Sequence, residues 1–291
     1  MTQQPLFNQY IRQVFSGDTQ AGNPAAVEVC CSRVIFENES MMQKRAAENQ
    51  LPISAFIFKE SNHTGLGYHI RWFSPETEVI LCGHGALAAA DVIISELNTD
   101  INLSHCTFLN KHIKVKSNSN STYILELAAV ELIAPSLSSD LVEVIDNHIC
   151  LDETKKFEAV VDEVVVNNAA QLDKAKQTAN LNGYLIVPLA SKEAVVNFDF
   201  DEKKFSELTQ QALIVTYKAA NKNEIFFRYF SPQYGAKEDS ATGSAAPVIA
   251  EFWQCEYGVN CICEQLSLSG GIYQVIRNTN KINVIAKVCY S

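Results

Sequence analysis

The sequence lacks any uninterrupted apolar run of about 18 residues, which is the length that a membrane-spanning helix needs. It also lacks a basic N-terminal segment followed by an apolar core, so no secretory signal is expected and the predicted location is cytoplasmic. Basic residues are scarce, because 23 Lys and Arg stand against 33 Asp and Glu, and the formal net charge is −10. Nucleic acid and anionic membrane surfaces both favour basic proteins, so neither is an expected partner.

Several chemistry-bearing motifs are also missing. No G-x-S-x-G, Walker A or dinucleotide fingerprint is present, which disfavours a serine hydrolase, a P-loop enzyme and a Rossmann domain. The nine cysteines are odd in number and irregularly spaced in a chain of 291 residues, which favours reduced thiols over a disulfide framework. Cys261 and Cys263 have no second pair at zinc-like spacing, so no metal site is expected.

What is present is a globular composition with 47% hydrophobic and 19% charged residues. Short segments rich in β-branched and aromatic residues predict strands at 9–15, 25–30, 53–59, 68–73, 123–127, 183–189, 224–230, 271–276 and 281–288. Four stretches predict helices: one that begins near Asn38, then 85–97, 171–181 and 243–255. Strand runs broken by isolated helices favour an α+β fold over a regular doubly wound sheet.

An internal repeat gives the strongest indication of the architecture. The segment RWFSP at 71–75 recurs as RYFSP at 228–232, an offset of 157 residues. Each copy is followed about ten residues later by a stretch rich in Ala and Gly, CGHGALAAADVI at 82–93 and ATGSAAPVIAEF at 241–252. Two matched features in the same order predict a duplicated lobe, with strands wrapped around a small-residue helix.

The expected fold class is therefore α+β, with two similar lobes and an active site between them. The N-terminal lobe is expected to span 1–128, and the last strand, at about 281–291, is a candidate to complete it. The C-terminal lobe is expected to span 129–280, after a connector at about 128–140 that contains Pro135 and several serines.

Each small-residue helix begins at a glycine-containing turn. Unpaired N–H groups at such a start can hold an anion, so a carboxylate-bearing ligand is expected there. Ordinary helix capping explains Thr and Ser at these positions equally well. The candidate ligand-binding residues are Gly83 and Gly85 in the first turn, and Thr242, Gly243 and Ser244 in the second.

Three titratable side chains are candidate catalytic residues. Glu48 has small or apolar neighbours, so its carboxylate is expected to be partly desolvated and able to exchange a proton, although a solvated helix glutamate fits the pattern too. His84 lies in the first turn, where a structural role is the alternative. Asp239 precedes the second turn and can cap that helix, serve the site, or do both.

The chain resembles the phenazine-biosynthesis isomerase-like (PhzF-like) family of the diaminopimelate epimerase superfamily. The resemblance rests on QVFSGDTQAGNPAAV (13–27), AAENQLPISAF (46–56), RWFSPETEVILCGHGALAAA (71–90), FSPQYGAKEDSATGSA (230–245) and, more loosely, QLSLSGGIYQV (265–275). It implies two lobes, each a strand barrel around a central helix, with the active site between them. It also implies a cofactor-free isomerase that moves a proton between carbons of a small cyclic, amino or hydroxy acid, in a protein that is often a homodimer.

The resemblance assigns roles residue by residue. Glu48 matches the proton-shuttling glutamate of the family, and His84, Asp239 and Ser244 match its other active-site side chains. Gly243 falls where a backbone N–H contacts the substrate. Asn23, in the G-N-P element, is expected among the substrate-binding residues.

The sequence departs from the family pattern at three positions. Ser269 stands where an arginine is expected, Gly85 where proline or alanine is usual, and Ser240 where proline often follows the aspartate. An epimerase with two catalytic thiols is disfavoured, because Cys82 is present but its counterpart is Ser240. A non-catalytic small-molecule binder on the same fold stays open as an alternative.

Overall fold

Alternating and fully apolar β-type segments dominate the chain, and in the computed structural model they form strands that curl around two central helices. The structure describes residues 5–61, 66–98, 100, 104–119, 121–135, 137–146, 175–178, 183–220, 223–234 and 236–290.

The first lobe is an eight-stranded barrel. Antiparallel and parallel pairs run in the circuit β1–β2–β3–β4–β6–β7–β8–β17 and return to β1, so the barrel has no open edge. The strands are β1 Phe7–Val14, β2 Asn23–Cys30, β3 Ile53–Lys59, β4 Leu66–Phe73, β5 Glu78–Val79 (paired with β4 outside the circuit), β6 His105–Phe108, β7 Ile113–Ser119, β8 Thr122–Ala128 and β17 Lys281–Tyr290.

The helices of this lobe lie inside and outside the barrel. Helix α3 (Gly83–Val92) is buried along its whole length, because its Ala and Gly side chains let the strands approach closely, and one π-helical turn, Ile93–Leu97, extends it. Helices α1 (Arg33–Glu37) and α2 (Glu39–Asn49) pack outside, between β2 and β3. The predicted start of α2 is confirmed, since the Asn38 side chain accepts a hydrogen bond from the Met41 N–H.

The second lobe wraps a curved sheet around helix α7 (Ala246–Phe252), which follows a 3₁₀ turn, Gly243–Ala245. Its strands pair in the order β9–β10–β11–β12–β13–β15–β16–β17, with β14 beside β13. They are β9 Leu132–Ile133, β10 Lys176–Thr178, β11 Tyr184–Pro188, β12 Ala212–Lys218, β13 Glu224–Ser231, β14 Ala236–Glu238, β15 Asn260–Gln265 and β16 Gly271–Arg277; the other helices are α4 Ser139–Asp146, α5 Lys192–Val196 and α6 Glu202–Leu208.

The two lobes share one design, which confirms the α+β fold with two similar halves. Parallel pairs β2–β3 and β4–β6 in the first lobe correspond to β11–β12 and β13–β15 in the second. The repeated arginines make the same interaction in each lobe. Arg71 forms a two-pronged ion pair with Glu78, and Arg228 forms one with Glu238.

Two sequence predictions need correction. Residues 176–178 of the predicted helix 171–181 form strand β10, because Gln177 pairs with Ile133 and Leu185 on either side; the rest of that helix lies outside the described residues. The connector at 128–140 contains strand β9. Strand β17 pairs with β1, β8 and β16, so it belongs to the sheets of both lobes, and the domain division at residue 128 stays a prediction.

Candidate active site

The two glycine-containing turns touch each other at the junction of the lobes. A Cβ atom added to Gly83 would lie 3.3 Å from the Cα of Gly243 and 3.3 Å from the backbone nitrogen of Ser244. A Cβ atom would be in tight contact with this backbone, so the close approach favours glycine at position 83. The starts of α3 and of the 3₁₀ turn before α7 therefore face one location, as the internal repeat suggested.

We predict that Gly83→Ala separates these turns. The added methyl group meets backbone rather than a flexible side chain, so relief requires a backbone shift, and the expected loss of unfolding free energy is about 1–3 kcal/mol. Urea unfolding measures it. Unchanged stability would show that the turns are not held against each other.

The first turn is capped by a sulfur atom. Cys82 is the N-cap residue of α3, and its Sγ accepts a hydrogen bond from the Gly85 N–H at 3.4 Å. Burial raises the pKa of the Cys82 thiol to about 12, with the Asp239 charge adding to the shift, so the thiol stays protonated at neutral pH. Cys82 thus closes the helix start and is a poor proton acceptor.

His84 lies in the same turn and is buried. Its Nδ1 atom is 3.3 Å from the Cys82 Sγ. Burial lowers the pKa of the imidazole, and the nearby Asp239 carboxylate opposes that shift without cancelling it. The ring is therefore neutral at pH 7, with one nitrogen able to donate and the other able to accept.

The His84 environment predicts a loss of stability on mild acidification. The pKa of His84 in the folded state lies below the ordinary value of 6.5, so the unfolded chain binds the proton first as the pH falls through about 6.5. Stability should decrease from about pH 7.5 to about pH 5.5, and His84→Gln should remove that part of the decrease. Thermal unfolding across this range measures it, and equal slopes for both proteins would contradict the assignment.

The second turn gathers three predicted residues by direct hydrogen bonds. The Asn23 side chain, from the start of β2, donates to Asp239 Oδ1 at 2.7 Å and to the Ala241 carbonyl at 3.1 Å. The Thr242 hydroxyl donates to Asp239 Oδ2 at 2.5 Å. Asn23 comes from the first lobe and the other residues from the second, so these bonds join the lobes.

Two of the alternatives that the sequence left open for this turn are not observed. Asp239 does not cap the following helix, because its two carboxylate oxygens accept from Asn23 and Thr242 instead of from helix N–H groups. The Thr242 hydroxyl is committed to Asp239, and among the described residues no side chain caps this start. The N–H groups of Gly243 and Ser244 are therefore left able to bind an anion. In the first turn, by contrast, the Cys82 sulfur already accepts the Gly85 N–H.

Glu48 lies in the last turn of α2, and its surroundings match the solvated helix glutamate, one of the two alternatives that the sequence left open. Its side chain is exposed rather than partly desolvated. The reason is helical geometry: the buried Ala46 faces the sheet, and a residue two positions later points about 200° away from it. Within the described part of the chain, no hydrogen bond or ion pair of Glu48 with His84 or Asp239 is observed.

The helix end that carries Glu48 is anchored by a buried carboxylate. Glu28 is completely buried on β2, and its Oε1 atom accepts hydrogen bonds from Arg45, Asn49 and Gln9 at 2.8–2.9 Å. Asn49, the neighbour of Glu48, also donates to the Ser54 hydroxyl on β3. These contacts fix the last turn of α2 to strands β2 and β3 of the barrel. The two strands are parallel, and their first residues lie side by side.

One of the three departures from the family pattern, Gly85, has a local explanation. A Cβ atom on Gly85 would lie 2.6 Å from the Trp72 ring, which is fully buried, so the indole occupies the space that a larger residue would need. The Ser240 carbonyl accepts from the Ser267 hydroxyl at 2.5 Å, and the Ser269 carbonyl accepts from the Ala21 N–H. These backbone contacts explain neither the serine at position 240 nor the absence of an arginine side chain at position 269.

Sequence reasoning missed residues that shape the site. Phe15 has a φ of 66°, which is unfavourable for a residue with a side chain, and its buried ring would lie 2.6 Å from a Cβ atom on Gly243. The turn at Gly22, with a φ of +79°, requires glycine because a Cβ would lie 2.3 Å from the Val14 carbonyl oxygen. The local sequence QVFSGDTQAGNP marked this segment but not its backbone conformation.

Other features of the described residues bear on chemistry and location. The described residues contain no group of three or more His, Cys, Asp or Glu side chains arranged to hold a metal ion. Eight cysteines are free thiols, and Cys150 lies outside the described part of the chain. No described helix combines the length and apolar character needed to cross a bilayer.

Comparison with known proteins gives a consistent result. The family model described as phenazine biosynthesis-like protein matches residues 12–287. An uncharacterized isomerase of Vibrio cholerae is 31% identical over 95% of this chain and 86% of its own length. A putative phenazine biosynthesis PhzC/PhzF protein from Clostridium difficile superposes with a TM-score of 0.72 at 26% identity, covering 98% of this chain and 97% of that one.

A more distant structure shows the fold alone. The hydroxyproline epimerase from Agrobacterium vitis has a TM-score of 0.55 at 6% identity, covering 99% of this chain and 91% of that one. The relatives named isomerases support an isomerase-like function, and the family match spans both lobes and every candidate site residue. This chain belongs to the phenazine biosynthesis-like protein family.

Proposed function

We propose that this protein is a cofactor-independent isomerase that moves a proton between carbons of a small cyclic, amino or hydroxy acid. The observation that carries the proposal is the junction of the lobes, where a hydrogen bond joins Asn23 of the first lobe to Asp239 of the second and Gly83 meets Gly243. His84, neutral and buried, lies within electrostatic reach of Asp239 there. Such a constellation can orient a polar substrate without a metal or an organic cofactor.

The proposed roles follow from charge and hydrogen-bonding capacity. The N–H groups of Gly243 and Ser244 hold the substrate carboxylate, because they lack a capping side chain among the described residues. Asp239 and His84 orient the amine or hydroxyl group of the substrate. Glu48, the family's proton-shuttling position, removes a proton from one carbon and returns it to another; its exposed carboxylate becomes desolvated when the substrate covers it.

The two alternatives make different demands on the site. An epimerase of the two-thiol type needs an ionisable sulfur on each side of the substrate, whereas Cys82 has a pKa of about 12 and its counterpart is Ser240. That mechanism is therefore poorly supported. A simple binder remains a distinct second candidate, because the part-buried Asn23–Asp239–Thr242 contacts would serve binding as well as catalysis.

A ligand screen followed by product analysis tests the proposal. Cyclic and aromatic amino or hydroxy acids are screened by thermal shift, because a ligand that binds the folded state raises the melting temperature. Each stabilising acid is then incubated with the protein and followed by proton NMR. A new isomer of the acid supports the proposal; stabilisation by several acids without conversion of any would favour the binder.

The proposal extends to assembly and location through the family resemblance. A homodimer in the cytoplasm is expected. Light scattering on the purified protein, with a mass of twice the chain as the supporting result, tests the first of these.

A further inference from the structure

The turn Asp239–Thr242 owes its shape to side chains from elsewhere in the chain. Four consecutive carbonyl groups, those of residues 239 to 242, each accept a hydrogen bond from a side chain. The donors are Gln265 Nε2 to Asp239, Ser267 Oγ to Ser240, Asn23 Nδ2 to Ala241 and Tyr273 OH to Thr242. An irregular turn with buried backbone needs such partners, because an unpaired polar group there would be costly.

Gln265 differs from the other donors because it spans the turn. Its Nε2 donates to the Asp239 carbonyl at 2.5 Å, and its Oε1 accepts from the Thr242 N–H at 2.7 Å. The side chain is completely buried at the end of β15, so water does not compete for either bond. One amide therefore fixes the distance between the residue that carries the site carboxylate and the residue before Gly243.

The equivalent position in the first lobe shows that this arrangement is not required for strand pairing. In the parallel pair β13–β15 of the second lobe, Phe227 lies opposite Gln265. In the corresponding pair β4–β6 of the first lobe, Tyr68 lies opposite Phe108. Extending that register by two residues places Asn110 opposite Ile70. The Asn110 amide bonds both backbone groups of Ile70, on its own neighbouring strand. Gln265 instead turns towards the site.

We propose that Gln265 is a positioning residue: it holds the turn so that the Asp239 carboxylate and the N–H groups of Gly243 and Ser244 face the substrate together. The role in turnover rests on the proposed isomerase function. The structural part of the inference is that Gln265 protects the Thr242 N–H from hydrogen exchange and holds the turn. This part does not depend on the proposed function.

Gln265→Met, which keeps the length and loses both bonds, is the first test variant. Amide hydrogen exchange at Thr242, followed by NMR on the full chain, is expected to be roughly tenfold faster than in the wild type. Amides of the first barrel should be unchanged, which separates a local role from general destabilisation. Gln274→Met is the matched control, since Gln274 is an exposed glutamine on the adjacent strand β16 that bonds only Asn260 among the described residues.

Gln265→Glu is the second test variant, and its readout is the pH dependence of exchange and turnover. It keeps the inference testable if Gln265→Met does not fold. When protonated, the introduced carboxyl group can donate to Asp239 and accept from Thr242, as the amide does; when ionised, it loses the donor. Protection of Thr242 and turnover of any acid that the wild type converts should therefore be regained as the pH falls from about 8 to about 6. The wild type should not show this rescue.

The outcomes are distinct. Faster exchange at Thr242 in Gln265→Met, with turnover reduced about 100-fold, supports the inference. Unchanged protection of Thr242, or wild-type turnover despite lost protection, overturns it. If the wild type converts no acid at all, the proposed function fails, and exchange at Thr242 alone still decides whether Gln265 holds the turn.

Discussion

Replacing Glu48 by Gln should reduce turnover by at least about 100-fold while leaving ligand affinity nearly unchanged. General acid–base transfer typically contributes factors of about 10² to 10⁴, and an amide cannot accept the proton. The substitution should not disturb the fold, because Glu48 is exposed and, among the described residues, forms no side-chain hydrogen bond or ion pair with His84 or Asp239. Initial rates and thermal-shift titration with the same acid measure both effects.

The control for Glu48→Gln is an exposed glutamate that is not one of the candidate site residues. Glu37→Gln on α1 removes the same charge from a residue whose only partner among the described residues is the exposed Arg33. It should retain full activity. Equal activity of the Glu48 variant and the wild type would remove Glu48 from the mechanism, and weaker binding with unchanged turnover would assign it to substrate affinity alone.

Replacing Asp91 by Ala should lower the free energy of unfolding by about 3–5 kcal/mol. Asp91 lies inside the first barrel on α3, and it forms a buried ion pair with Arg12 while accepting the Tyr123 hydroxyl at 2.8 Å. The substitution leaves the Arg12 guanidinium with Glu96 as its remaining carboxylate partner and leaves the Tyr123 hydroxyl without this acceptor. Urea unfolding, with the slope checked for constancy, measures the loss.

An exposed ion pair provides the comparison for Asp91. Glu37→Ala breaks the Arg33–Glu37 pair, in which both side chains are more than half exposed, and should change stability by no more than about 0.5 kcal/mol. Similar losses for the two variants would mean that burial does not set the strength of the Arg12–Asp91 contact.

The sequence was informative wherever a local pattern determined the structure. β-Branched runs located nine of the 17 described strands within one or two residues, and the RxFSP repeat predicted two lobes of one design. Arg71 and Arg228 make the same interaction in the two copies of the repeat: each forms a two-pronged ion pair with a glutamate on the neighbouring short strand. The small-residue runs predicted buried central helices, because only Ala and Gly allow strands so close on every side.

The sequence was less informative where contacts are distant along the chain. The segment at 176–178 became a strand because of its neighbours β9 and β11. Asn23 and Asp239 are 216 residues apart, so their bond could be suspected only through the family resemblance. The exposure of Glu48 depends on which face of α2 meets the barrel, so the sequence left both a partly desolvated and a solvated glutamate open.

Solvent deuterium uptake tests the central claim, that one carboxylate moves a proton at the junction of the lobes. The wild type and Glu48→Gln are incubated in D₂O with an acid that stabilises both, and deuterium on carbon is followed by NMR. The account predicts uptake at one carbon with the wild type and none above background with the variant. Uptake at the wild-type rate in the variant, or no uptake with a wild type that binds the acid, would contradict it.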